Sequence, residues 1–164
     1  MKRVALLLML AAVAFAEQRG TVEAKGSLGL TSFVDESANN HLQTGGSVRL
    51  YLTSRLSLEP EFQYLRGSAG HHDVVFLPNV NWDFRSGKRI VPYATAGVGW
   101  MQSSFRLGGP RGSSFRTNQW YGEFGGGAKI RFSPGGYVAP EFRVGTELNA
   151  RASIAIGYTF AGKR

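Results

Sequence analysis

The chain has 164 residues, 43% of them hydrophobic and 18% charged, with 22 glycines, no cysteine and a formal net charge of +8. That length holds one domain, since two would each bury little core, and the apolar content excludes a disordered tail. The missing cysteine excludes a disulfide framework, a cysteine zinc site, a thiol nucleophile and a lipidated N-terminal cysteine.

The N-terminus opens with Lys2 and Arg3, followed by an uninterrupted apolar run over 4–14 and the A-x-A pattern Ala14-Phe15-Ala16. This predicts a secretory signal peptide over 1–16, cleaved after Ala16, because the run is too short to span a bilayer. The domain is then 17–164, with a net charge of +6 once Lys2 and Arg3 are removed. A basic excess in an exported chain points to lipid phosphate or acidic glycan and away from nucleic acid.

Beyond residue 19 the hydrophobic pattern has period two, which predicts strands. Eight are expected, over about 20–33, 42–53, 55–66, 74–85, 90–102, 117–132, 137–145 and 151–160. In the second, Leu42, Val48, Leu50 and Leu52 oppose Gln43, Ser47, Arg49 and Tyr51. In the eighth, Ala152, Ile154, Ile156, Tyr158 and Phe160 oppose Arg151, Ser153, Gly157 and Thr159. No apolar face carries a charge. Tight connections at 53–55, 86–89 and 133–136 alternate with longer polar ones at 34–41, 66–73, 102–116 and 146–150. Short turns on one side and long loops on the other predict an even-stranded antiparallel meander with both termini at the short-turn end.

Such a sheet closes in one of two senses. A soluble barrel turns its apolar faces inward, and a membrane barrel turns them outward. The polar faces hold Glu23, Lys25, Arg49, Glu59, Glu61, Asp83, Arg85, Glu123, Lys129, Arg131, Glu141, Arg143 and Arg151, whose signs nearly balance, as a paired interior requires. Tyr64, Phe76, Trp100 and Trp120 flank the long loops, while Trp82, Phe84, Phe132, Tyr158 and Phe160 lie toward the short turns or the C-terminus, as two headgroup girdles would. Polar-face glycines make room for long side chains in a lumen only wide enough for side chains to fill. Pro60, Pro78, Pro92 and Pro140 each remove a ladder donor and are expected toward strand ends, where water or a bulge covers the loss. The fold class is therefore all-β, an eight-stranded antiparallel up-and-down transmembrane β-barrel preceded by a cleaved signal peptide.

Two segments resemble the small eight-stranded outer-membrane barrels, the family of the outer membrane protein A transmembrane domain and its short relatives. Val91-Pro92-Tyr93-Ala94-Thr95-Ala96-Gly97-Val98-Gly99-Trp100 resembles their fifth strand. Ile154-Ala155-Ile156-Gly157-Tyr158-Thr159-Phe160 resembles their terminal strand. The resemblance implies residence in a Gram-negative-type outer membrane. It also implies that Ile154, Ile156, Tyr158 and Phe160 carry the signal read by the barrel-assembly machinery, although four residues follow the final aromatic here.

Enzymatic readings find little support. The His-x-Ser pair of the lipid A deacylases is missing. His41, Ser68 and Asp73 imitate the palmitoyltransferase set, but the expected charged lumen does not hold an acyl chain. His71-His72-Asp73 reads as solvated loop residues rather than a metal site, and no metal or cofactor is expected. The remaining feature is the longest loop, where Ser103-Ser104-Phe105-Arg106 repeats as Ser113-Ser114-Phe115-Arg116 around Arg111. Arg106, Arg111 and Arg116 are candidate contacts for lipopolysaccharide phosphate or an acidic glycan, since arginine binds phosphate well. The expected function is a non-enzymatic, monomeric outer-membrane barrel with a structural or surface-interaction role and a lumen plugged by paired charges. The alternatives are a weak, porin-like small-solute channel and a secreted soluble barrel that binds a small ligand.

Overall fold

The computed structural model describes residues 21–33, 39–67, 71–85, 88–106, 114–146 and 148–160. The predicted signal peptide, Ser68 and Arg111 lie outside them. Eight strands follow in chain order: β1 (Val22–Phe33), β2 (Asn39–Tyr51), β3 (Leu56–Arg66), β4 (His72–Asp83), β5 (Ile90–Arg106), β6 (Ser114–Arg131), β7 (Gly136–Gly145) and β8 (Asn149–Phe160). Each pairs antiparallel with its neighbours, and β1 pairs with β8, so the sheet closes into a barrel without edges. Closure satisfies every strand's backbone partner from within, which is what a bilayer interior demands.

The period-two pattern fixes which way each side chain points. Odd-numbered strand residues face the lumen, and even-numbered ones face outward. Outward aliphatics such as Leu28, Val98, Ile154 and Ile156 are exposed, whereas Glu59, Arg143 and Leu77 are fully buried inside. This is the inverse of a water-soluble barrel, and it excludes the soluble alternative. The aromatics form the two expected bands. Trp100 and Trp120 are cross-strand partners in an edge-to-face pair 5.6 Å apart near the long connections. Tyr158 and Phe160 form a similar pair at 5.1 Å toward the short turns.

Two expectations need correction. First, β5 and β6 run past residues 102 and 117, and their ladder continues to Arg106↔Ser114. The repeated Ser-Ser-Phe-Arg segments lie on its two strands, with Phe105 opposite Phe115 and Arg116 opposite Ser104. Beyond the bilayer both faces of a ladder meet water, so the hydrophobic alternation fades while the pairing persists. Second, Pro60 and Pro78 are not at strand ends but face each other across β3 and β4. Pairing with the opposite neighbour lapses at each: between Ser47↔Glu61 and Leu50↔Leu58 for Pro60, and between Phe76↔Trp100 and Asn79↔Gly97 for Pro78. A similar gap lies at Pro140, between Gly127↔Glu141 and Ile130↔Val138. The register resumes unchanged after every gap. The missing N–H therefore costs local bonds but inserts no bulge.

Candidate functional site

The lumen is stratified. At the short-turn end and through the middle it is ionic. Eleven charged side chains form one chain of alternating sign: Glu23–Lys129–Asp83–Arg49–Glu59–Lys25–Glu141–Arg143–Glu61–Arg151–Glu123. Among these contacts, Arg49 Nε lies 2.6 Å from Glu59 Oε2, Arg143 Nη2 lies 2.7 Å from Glu141 Oε2, and Lys129 Nζ to Asp83 Oδ2 and Arg143 Nη1 to Glu61 Oε2 are both 2.8 Å. Lys25 also contacts Glu141 directly, and its ammonium is 2.9 Å from Glu59. Every side chain in this chain is at most 5% exposed.

Neutral residues complete the network, because a buried carboxylate needs more than one donor. Ser47 and Asn81 donate to Glu59, at 2.8 and 3.1 Å. Tyr93 donates to Glu141 at 2.5 Å, Tyr121 to Glu123 at 2.7 Å and Tyr51 to Asp83 at 2.7 Å. Lys129 also donates to the Tyr51 hydroxyl. The Arg49 guanidinium lies 4.6 Å from the Tyr93 ring centroid, a cation–π contact. Each of these neutral partners has the odd number of a lumen position, but none carries the charge that marks a site residue in the sequence. The polar-face glycines do make room: a Cβ on Gly127 would meet the Tyr93 hydroxyl at 2.9 Å and Glu141 Cγ at 3.1 Å.

Two of the thirteen predicted lumen charges stand apart. Arg85 is exposed and lies beyond the end of β4 at Asp83. The sequence alternation continues into the turn, but the enclosed lumen ends one step earlier, and the guanidinium reaches water. Arg131 is half-buried at the end of β6 and enters none of the ion pairs among the described residues.

Toward the long connections the interior becomes apolar. Leu65, Val75, Leu77, Met101 and Tyr121 form a buried cluster, with Phe33 packed against it. At the mouth itself are Phe33, His41, His71 and Phe105. The His41 ring meets Phe33 and His71 edge-to-face at 5.0 Å each, and His71 meets Phe105 at 6.0 Å. Asp73 lies beside them, with Oδ1 3.0 Å from His71 Nε2. The sequence grouping His71-His72-Asp73 is not the one the fold assembles. The His72 ring lies instead against Tyr64, at 6.0 Å.

Ile154, Ile156, Tyr158 and Phe160 project outward from β8, each more than half exposed. Arg116 is exposed on β6, and Arg106 ends β5.

The N-terminal β-barrel domain of Pseudomonas aeruginosa OprF is 17% identical, with a TM-score of 0.67 over 87% of this chain and all of that one. Neisserial surface protein A is 13% identical, with a TM-score of 0.70 over 86% of this chain and 97% of that one. Ail of Yersinia pestis, in complex with the heparin analogue sucrose octasulfate, is 12% identical, with a TM-score of 0.56 over 87% of this chain and all of that one. No curated protein sequence matches the chain. The family model for the outer membrane protein beta-barrel domain matches residues 4–160. With its apolar faces outward and its charges sealed within, the chain belongs to the outer membrane protein beta-barrel domain family and resides in the outer membrane.

Proposed function

We propose that the protein is a non-enzymatic, monomeric outer-membrane barrel whose lumen is plugged and whose function lies at its outer surface. The observation that carries this reading is the alternating ion chain, which crosses the lumen with side chains from β1 to β8. Eight strands leave room only for side chains, and those present are mutually paired. The outer-membrane lipid, the barrel-assembly machinery acting on Ile154, Ile156, Tyr158 and Phe160, and an anionic surface ligand are its partners in this reading.

The surface role rests on the β5–β6 hairpin. Its ladder carries Arg116 and Arg106 beyond the Trp100–Trp120 pair, and Arg111 lies in the connection between the strands. If the N-terminus is left in the periplasm by signal cleavage, odd strands run outward and this hairpin is extracellular. Lipopolysaccharide phosphate or an acidic glycan is the fitting ligand class. The likeness in fold to Ail, crystallised with a heparin analogue, agrees with that class.

Two measurements test the reading. Planar bilayers containing the folded protein should show no stepwise conductance, and a steady ohmic current would favour the weak-channel alternative. Replacing Arg106, Arg111 and Arg116 together by serine should abolish salt-sensitive retention on a sulfated-glycan column while leaving the heat-modifiable migration of the folded barrel intact. Unchanged retention would remove the arginines from the function.

A further inference from the structure

Three side chains that the ion network does not use meet at the long-connection mouth, one of them 30 residues from the nearer of the other two. We propose that His41, His71 and Asp73 form a binding site for a borderline divalent metal ion, of the zinc or copper class.

The geometry supports this at several points. His41 Nε2 and His71 Nδ1 are 3.4 Å apart. A tetrahedral ion with metal–nitrogen bonds of ~2.0–2.1 Å holds its ligand atoms about 3.4 Å apart, so this spacing is that of one coordination edge. One donor atom from each of the three residues lies within 4.8 Å of the other two, so the third reaches ligand spacing by closing at most about 1.4 Å. His41 and Asp73 are almost wholly buried, while the His71 side chain is 32% exposed. The site thus has fixed walls and an entry path from water.

Asp73 supplies an independent observation. Its Oδ1 lies 3.0 Å from His71 Nε2, the ring nitrogen other than the one facing His41, and receives no aligned hydrogen bond from any described residue, so a shared ion requires the His71 ring to turn. A buried carboxylate oxygen in that state is costly, and a cation satisfies it. Gly67 is the remaining piece. A Cβ there would lie 2.3 Å from His41 Nε2, so glycine is what allows the chain to pass while leaving the nitrogen in place. Phe33 and Phe105 flank the two imidazoles and hold their planes.

The donor set selects the ion. Two imidazoles and one carboxylate suit zinc, copper or nickel, whereas magnesium and calcium prefer all-oxygen shells. The ligands come from β2, from β4 and from the residue just before β4. A bound ion would therefore tie β2 to β4 above the apolar cluster.

The test uses the refolded, untagged full chain in detergent micelles, titrated with zinc chloride by calorimetry. One equivalent should bind, unaffected by millimolar magnesium or calcium. His41→Ala, His71→Ala and Asp73→Asn should each weaken binding at least tenfold, and His72→Ala should leave it unchanged. No saturable zinc binding, or equal binding by all four variants, overturns the proposal. A second readout needs no variant. With one equivalent of copper(II), electron paramagnetic resonance of the wild-type barrel should show coupling to two imidazole nitrogens. A spectrum with oxygen ligands only overturns it.

Discussion

Arg143 on β7 and Glu61 on β3 meet at 2.8 Å across the full width of the barrel. The strands that carry them are four apart in an eight-stranded ring, so this one bond spans a diameter. Arg143 also reaches Glu141, and Asn79 donates to the same Glu61 oxygen at 3.0 Å. Removing the guanidinium leaves the buried carboxylates of Glu61, Glu123 and Glu141 one cation short. Arg143→Ala should lower the unfolding free energy in lipid vesicles by about 3–5 kcal/mol. Replacing both Arg143 and Glu61 by apolar residues of similar volume should restore much of that loss, because the uncompensated charge is the costly element. Urea titrations read by tryptophan fluorescence compare the single and double variants.

The outward face should show depth dependence. Ile154 pairs with Leu28 and Pro140 near the middle of its strand, whereas Phe160 ends it. Ile154→Arg should cost about 2–4 kcal/mol and Phe160→Arg no more than about 1 kcal/mol, following the depth scale for charges on the lipid side of a barrel. Equal costs in the same titration would contradict the assigned bilayer position.

Close backbone approach should make some glycines irreplaceable. A Cβ on Gly99 would lie 2.0 Å from the Phe76 carbonyl oxygen, and the strands cannot part there without straining the adjoining Phe76↔Trp100 pair. On the outward-facing Gly26 the nearest atom would be 3.9 Å away. Gly99→Ala should reduce the fraction that reaches the heat-modifiable folded form, and Gly26→Ala should not. Comparable yields would refute the crowding argument.

Leu148, in the connection between β7 and β8, has a backbone φ of 46°. A leucine side chain is disfavoured there by about 1–2 kcal/mol, and its side chain is mostly exposed, so little packing offsets the strain. Leu148→Gly should be neutral to stabilising in thermal unfolding, against the usual direction of a glycine substitution.

The strands were legible because the bilayer and the lumen impose opposite demands on alternate residues. Where one demand disappears, so does the signal. The outer ends of β5 and β6 lose the strict alternation of burial, and Phe105↔Phe115 lies in a segment that reads as loop. At the inner end, Arg85 keeps the parity of Asp83 after the enclosure has ended. The ion network could be listed from its parity, but not wired. Which cation meets Glu59 depends on strand stagger around the ring, and its partners Lys25 and Arg49 lie on different strands. The mouth cluster was the least accessible. His41 is 30 residues from His71, and only closure brings the rings together. The neighbouring His72, adjacent in sequence, faces the other side.

The seam between β1 and β8 sets the timing of folding. Thr159 donates to Glu23 across it at 3.1 Å, a contact between residues 136 positions apart, whereas every other ladder joins consecutive strands. Long-range contacts form slowly because loop closure must precede any gain from pairing. Hairpins can zip as the chain arrives, but the half of the ion chain that depends on Glu23, Lys25 and Arg151 has no scaffold until the ends meet. Until then two full strands present open backbone and unpaired charge. Ring closure is thus also the event that completes the neutralisation of the lumen.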